Sequence, residues 1–170
     1  MELELELHDI HPDAVKQALK KAKQYRSLLE PDIAESICLD ILKIDENNQE
    51  ALVIYILSLT DQLHHTERQT QIKDITQAIE KLESEYKRFY YTGLLNERRA
   101  LALMSQPMSH SFAYDYFIEA LQCYQHAEKI CPDEGNDEAT LRWNSCIRTI
   151  QKEKLQPRQD TTHVHSYMES

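Results

Sequence analysis

The sequence predicts an all-α fold, because three observations agree. Apolar residues recur every three or four positions along most of the 170 residues, which is the period of an amphipathic helix. The chain has only two glycines, Gly93 and Gly135, where an average usage of ~7% would give about twelve. Together with only five prolines, this leaves little turn chemistry for the hairpins of a β-sandwich or barrel. One helical domain is therefore expected.

Breaks in the apolar period divide the chain into elements. Residues 1–11 alternate Glu with Leu, but a single short strand has no partner here, so this leader is expected to be irregular. Pro12 and Asp13 begin the first helix, because proline and an acid suit a first helical turn. The predicted domain spans 12–154, and the polar residues 155–170 are expected to be a disordered tail. Its seven antiparallel helices are predicted at about 12–29, 32–44, 49–64, 72–86, 87–105, 111–130 and 137–154.

The fourth predicted helix carries a narrow apolar seam of the coiled-coil type. Packing against a neighbouring helix of the same chain is the commoner origin of such a seam, but a homodimer seam stays open as the alternative. The fifth helix either continues from the fourth or begins near Tyr86. The seam consists of Ile72, Ile75, Ile79, Leu82 and Tyr86.

The charge balance argues against a nucleic-acid partner. Nineteen Lys and Arg against twenty-nine Asp and Glu give a net charge of −10, whereas phosphate binding requires clustered cations. No apolar run approaches the ~20 residues of a membrane span, and the leader lacks the basic and apolar blocks of a signal peptide. The four cysteines form no C-x-x-C pair, which suits free thiols in a reducing compartment. A cytoplasmic location without membrane association is therefore predicted.

The sequence contains no recognisable catalytic or cofactor motif. Two distant glycines exclude a Walker loop, a dinucleotide fingerprint and a nucleophile elbow. The eight histidines include no H-E-x-x-H motif, and those inside predicted helices are too scattered to converge on a zinc ion. The pairs His8 and His11, and His163 and His165, fall in the expected leader and tail. No metal, cofactor or enzymatic activity is predicted, and a metal-dependent helical enzyme is the least favoured alternative.

Two stretches of the chain can be laid over one another: residues 34–48 followed by 50–51, and residues 120–133 followed by 138–139. Each begins with a small residue, Ala34 or Ala120, followed by a larger one four positions later, a core residue, an aliphatic residue and a turn. This pattern resembles the second helix of a tetratricopeptide (TPR) repeat leading into the next first helix. Gly93 matches the small first-helix position of that family, and Pro132 its turn proline. The resemblance covers residues 13–152 and extends to uncharacterised bacterial TPR-like proteins.

The resemblance implies a short right-handed superhelix of helix pairs, with the seventh helix as a C-terminal cap anchored by Trp143. The first helix of each pair would line a concave groove, where basic residues of related modules clamp a partner's carboxylate. The outward-facing groove candidates are Lys16, Lys23, Arg26, Lys87, Tyr90, Leu94, Arg98 and Arg148. Two structural alternatives stay open: these cations could be ordinary solvated residues, and arginines such as Arg99 and Arg142 could pack on aromatic rings instead.

The function predicted from the sequence is a non-enzymatic protein–protein interaction module. The expected partner is an unidentified protein or peptide, and an acidic segment is the favoured type because cations would gather in one groove of an acidic chain. Self-association into a homodimer, through the fourth helix or the leader, is the alternative.

Overall fold

The computed structural model describes residues 3–63, 69–130 and 137–159, and these residues form an all-α protein without strands. Residues 3–11 have no regular secondary structure, and one 3₁₀ turn at Pro12–Ala14 leads into the first helix. The seven helices of the described residues are α1 Val15–Ser27, α2 Pro31–Ile44, α3 Gln49–Asp61, α4 Gln69–Glu80, α5 Glu85–Met104, α6 His110–Ile130 and α7 Glu138–Lys152.

Polar capping residues set the beginnings of two of these helices. The Asn48 side chain accepts a hydrogen bond from the Ala51 amide at 2.9 Å and so begins α3. The Ser84 hydroxyl accepts from the Lys87 amide at 3.2 Å and begins α5. The fourth and fifth helices are therefore separate, and the break lies just before Tyr86 because Ser84 satisfies an otherwise unpaired amide there.

Each helix packs against the next one along the chain, and alternate helices also meet: α1 contacts α3, and α3 contacts α5. Ala34 and Ala120, the small residues of the two similar stretches, are completely buried. Ile75 and Ile79 of the fourth helix, and Leu82 just after it, are buried in the protein's own core. The seam on α4 is thus explained by packing within one chain, as predicted.

A close approach between two helices lies at Gly93, on the α5–α6 interface. A Cβ atom added at Gly93 would lie 2.7 Å from Cε1 and 2.9 Å from Cδ1 of Tyr124, and 3.2 Å from Cβ of Cys123. The absence of a side chain at Gly93 lets the Tyr124 ring lie directly over the α5 backbone. A small residue at this position was expected from the sequence, and its partner on α6 is now identified.

The C-terminal part of the domain extends further than predicted. Leu155 is only 6% exposed and belongs to the main core, and Arg158 forms a 2.7 Å ion pair with Asp115 of α6. The expectation of a disordered tail from residue 155 is therefore wrong for residues 155–159, because a buried leucine holds this segment against the helices.

Trp143 is half-buried against the same core, as expected for a residue that anchors a terminal helix. The predicted break at residues 66–68, Pro132 and the tail from residue 160 lie outside the described residues.

Candidate functional site

The structure separates the six basic residues among the groove candidates into three groups. Three of the basic residues are exposed on their helices and form no ion pair within the described residues: Lys16, Lys87 and Arg148. Lys23 is also exposed, but its ammonium group pairs with Glu50 of α3. Arg26 and Arg98 are the only predicted candidates that line a common cavity among those described.

The expectation that Tyr90 and Leu94 face outward is wrong. Leu94 is 1% exposed and Tyr90 is 9% exposed, and both belong to the main core. The Tyr90 ring centroid lies 6.0 Å from that of Tyr86, 5.1 Å from that of Tyr91 and 5.8 Å from that of Tyr124. Since α5 packs against both α4 and α6, Tyr90 and Leu94 fill the core and are not placed to contact a ligand.

An ion network joins the three alternate helices. Asp61, the last residue of α3, accepts from Nε of Arg26 at 2.7 Å and from Nη2 of Arg26 at 3.3 Å. Nη2 of Arg98 on α5 lies 3.9 Å from Oδ1 of the same carboxylate. The Asp61 side chain is about one-fifth exposed, at 22%, so this network is partly shielded from water. It ties α1, α3 and α5 together through their side chains.

These residues line a cavity of about 780 Å³, called here the Arg26–Arg98 cavity. Arg98 is paired more weakly than Arg26, because its contact with Asp61 is 3.9 Å long and its Nε atom is buried without a hydrogen-bond acceptor in the described part of the chain. A guanidinium group has five N–H donors, and a 3.9 Å contact uses them poorly. The cavity therefore contains a guanidinium group, that of Arg98, whose hydrogen-bond donors are only partly used. Its lining residues are Arg26, Ser27, Leu29, Pro31, Asp32, Asp61, Gln62 and Arg98.

Leu29 contributes an apolar rim to the cavity in an unusual backbone conformation. Its φ is 63°, in the left-handed region that favours glycine, and its side chain is 87% exposed. The Leu29 amide donates to the Arg26 carbonyl at 3.0 Å and the Glu30 amide to the Tyr25 carbonyl at 3.0 Å, which is the Schellman ending of a helix. A large apolar residue beside the cavity thus adopts a backbone conformation that glycine would adopt with less strain.

Sequence reasoning missed both Asp61 and Leu29. One signal for Asp61 is present in the sequence, because a carboxylate at the end of a predicted helix is unfavourable beside the negative end of the helix dipole. Such a residue is expected to have cationic partners, and the structure supplies Arg26 and Arg98. For Leu29 no signal exists without the backbone angle, since a leucine after a helix is ordinary in sequence.

A second polar cluster lies inside the protein, between α5, α6 and α7. The Tyr124 hydroxyl donates to Oε2 of Glu97 at 2.6 Å, and Nη1 of Arg142 lies 3.6 Å from Oε1 of Glu97. Glu97 is 4% exposed and lines none of the described cavities. Burial, followed by the nearby Glu97 charge, raises the pKa of the Cys146 thiol to about 12, which keeps it protonated and unreactive. The cluster is closed to a substrate and stabilises the packing of α7.

The alternative that Arg99 and Arg142 pack on aromatic rings holds for only one of the two residues. The Arg99 guanidinium carbon lies 4.3 Å from the centroid of the Tyr116 ring, so the cation–π alternative is confirmed there. Arg142 instead pairs with Glu97, whose Oε1 lies 3.6 Å from Nη1 of Arg142. Both arginines are engaged in structure, which leaves fewer cations for the groove than the sequence suggests.

Within the described residues, no group of three or more His, Cys, Asp or Glu side chains is placed to hold a metal ion. Among the same residues no helix is both long and apolar enough to cross a bilayer. Comparison with protein-family models, curated proteins and solved structures gives no match to this chain.

Proposed function

We propose that this protein is a non-enzymatic protein-binding module whose Arg26–Arg98 cavity receives an acidic segment of a partner protein. The observation that carries the proposal is the meeting of Arg26, Asp61 and Arg98, from three alternate helices, in one cavity of about 780 Å³. Concave sites with a few converging polar groups are the usual ligand sites of proteins.

The two arginines have different roles in this proposal. Asp61 holds the Arg26 side chain in place through two hydrogen bonds, so Arg26 mainly shapes the cavity. Arg98, whose pairing is weaker, donates to the incoming carboxylate. The exposed Leu29 side chain contacts an apolar residue beside that carboxylate, which adds burial to the charge interaction.

The TPR resemblance supports the same site. In a stack of helix pairs, the first helices of successive pairs lie side by side and form the concave surface. Here α1, α3 and α5 are the corresponding helices, and they contact one another in that order. The exposed Lys16, Lys87 and Arg148 would then contribute long-range attraction for an acidic partner rather than direct contacts.

A defined peptide library provides the test. Peptides that carry one Asp or Glu, or a free C-terminal carboxylate, beside an apolar residue are titrated against the whole chain by fluorescence polarisation. We expect Arg98→Ala to weaken the best binders at least about tenfold, since a charge-assisted hydrogen bond contributes about 1.5–3 kcal/mol. Arg148→Ala, which removes an arginine on α7 outside the cavity lining, is the matched control and should change binding less than about twofold.

Two results would contradict the proposal. One is a binder whose affinity is the same with wild-type protein and Arg98→Ala. The other is a library in which amidated or neutral peptides bind as tightly as acidic ones, because the cavity would then recognise something other than a carboxylate.

A further inference from the structure

The Arg26–Arg98 cavity contains a second carboxylate besides that of Asp61. Asp32, in the first turn of α2, lines the same cavity and is exposed. Within the described part of the chain Asp32 forms no ion pair, whereas Asp61 lies between the two arginines. The cavity therefore presents a carboxylate that its own cations do not compensate.

The charges of the lining residues balance formally, since two arginines face two aspartates. Both hydrogen bonds of the Asp61 carboxylate go to Arg26, so this pair is largely satisfied. The groups that remain for a ligand are the weakly paired guanidinium of Arg98 and the unpaired carboxylate of Asp32. A ligand with negative charge alone would be attracted by the first group and repelled by the second.

These two groups reach the cavity from different helices. Arg98 belongs to α5 and Asp32 to α2, and α3 packs against both helices. A sphere with the volume of the cavity, about 780 Å³, is about 11 Å across, which corresponds to about three residues of extended chain. A ligand that meets both groups therefore carries its two charges within about three residues of each other.

Two neutral side chains in the lining also present acceptors. Nε2 of Gln62 donates to Oε2 of Glu35 and to the Ser58 carbonyl, both at 3.0 Å. These bonds use both amide hydrogens, so Gln62 offers a ligand its Oε1 oxygen, which only accepts. The Ser27 hydroxyl donates to the Lys23 carbonyl at 3.0 Å, and its oxygen can still accept a hydrogen bond. The lining therefore suits a ligand with donors as well as a carboxylate.

We propose that the Arg26–Arg98 cavity selects acidic segments that also carry a lysine or arginine within about three residues of the acid, and that Asp32 is the residue that recognises this cation. The inference rests on the proposed function, because Arg98 binds the acid of the same segment. The ligand's cation donates to the Asp32 carboxylate, and Gln62 and Ser27 supply further acceptors.

An acid in the first turn of a helix also has a purely structural role, because it interacts favourably with the positive end of the helix dipole. That role affects the stability of the protein but does not couple Asp32 to a charge on the ligand. Glu85 provides the matched comparison, since it is an exposed acid in the first turn of α5 and lines none of the described cavities. Asp32→Asn and Glu85→Gln each remove one negative charge and keep the size of the side chain.

Paired peptides test the proposal. Each peptide carries one Glu beside an apolar residue, with either Lys or Gln one to three positions away on either side, and is titrated against the whole chain by fluorescence polarisation. We expect wild type to bind the best Lys peptide about three- to fivefold more tightly than its Gln counterpart, since an exposed ion pair contributes modestly. This ratio should fall to about one in Asp32→Asn and at high salt, and it should be retained in Glu85→Gln.

Arg98→Ala separates this inference from the proposed function. If that variant weakens the binding of both peptides but wild type does not distinguish Lys from Gln, the cavity binds an acid alone and only this inference is wrong. A Lys-to-Gln ratio that is the same in Asp32→Asn as in wild type also overturns it, because the cation is then bound elsewhere. Binding that is insensitive to Arg98→Ala overturns the proposed function and this inference together. Circular dichroism of every variant checks that the helices are retained.

Discussion

The hydroxyl of Tyr124 donates a 2.6 Å hydrogen bond to the buried carboxylate of Glu97. The two residues belong to α6 and α5, the pair of helices with the most extensive contact, and Tyr124 is completely buried. The carboxylate also lies 3.6 Å from Arg142 of α7. One side chain thus links three helices, and a buried acid of this kind costs stability unless its partners are all present.

Replacement of Tyr124 by Phe should therefore destabilise the protein. The variant keeps the ring and removes the donor, which leaves one oxygen of Glu97 buried without its partner. We expect a loss of about 1.5–3 kcal/mol in the free energy of unfolding, measured by urea denaturation. Tyr114→Phe is the control, since the Tyr114 hydroxyl makes no hydrogen bond within the described residues. Equal stability of wild type and Tyr124→Phe would show that the Glu97 contact contributes nothing.

Gly93→Ala should also be destabilising, although alanine is the better helix former. The new Cβ would lie 2.7 Å from the Tyr124 ring, which cannot move freely because it is buried and hydrogen-bonded. Overpacking of this kind costs about 1–3 kcal/mol and outweighs the ~1 kcal/mol gained in helix propensity. Urea denaturation measures the difference.

A double-mutant cycle gives the control for this prediction. In a Tyr124→Ala background the ring is gone, so Gly93→Ala should become neutral or stabilising. If the alanine costs the same in both backgrounds, the close approach to Tyr124 is not the cause.

Alkaline pH should destabilise the protein through its buried phenol and thiol groups. Burial, followed by the Glu97 charge, raises the pKa of Tyr124 in the folded state, and burial raises that of Cys38 to about 12. Above the unfolded pKa values, ~9 for a thiol and ~10 for a phenol, the unfolded chain loses protons that the folded chain retains. The free energy of unfolding should therefore be fully retained below pH ~9 and fall as the pH rises further.

Denaturation curves between pH 7 and about 11 check this prediction, within the range where the thiols and phenols of the unfolded chain titrate. Tyr124→Phe lacks one of the responsible groups, so its stability should fall less steeply than that of wild type above pH ~10. A wild-type stability that is constant or rises over this range would refute the assignment.

Leu29→Gly should stabilise the protein and weaken ligand binding. Glycine adopts the positive φ of 63° without strain, and a gain of about 0.5–1 kcal/mol is expected. The change also removes the apolar rim of the Arg26–Arg98 cavity. Thermal or urea denaturation measures the first effect, and peptide titration the second.

Lys154→Gly is the matched control for that prediction. Lys154 has a φ of 52° at the end of α7, in the same type of helix ending, and lies outside the Arg26–Arg98 cavity. It should stabilise the protein by a similar amount and leave binding unchanged. Loss of binding in both variants would indicate a general effect of stability rather than a contact of Leu29.

The sequence was sufficient for much of the fold but for little of the candidate site. The spacing of apolar residues located all seven helices of the described residues. The errors in the predicted helix boundaries arose at capping residues such as Ser84, where the hydrogen bond of a single hydroxyl sets the first residue of the helix. Glu97 could not be recognised as buried, because its partners Tyr124 and Arg142 are 27 and 45 positions away and its own residue type is normally exposed. Arg26 and Arg98, two of the predicted groove residues, line one cavity. Leu94 is buried instead, since helix periodicity does not reveal which side of α5 is covered by α6.

The sequence by itself determined that the chain is helical, where its helices lie and which small residues permit close packing, because these properties follow from local periodicity and side-chain size. Only the tertiary structure decided which charges meet. Asp61 joins arginines 35 residues before it and 37 residues after it, and Glu97 joins three helices, through the way the helices stack. Such pairings depend on distances of a few ångströms between remote segments, and no local property of the chain encodes them.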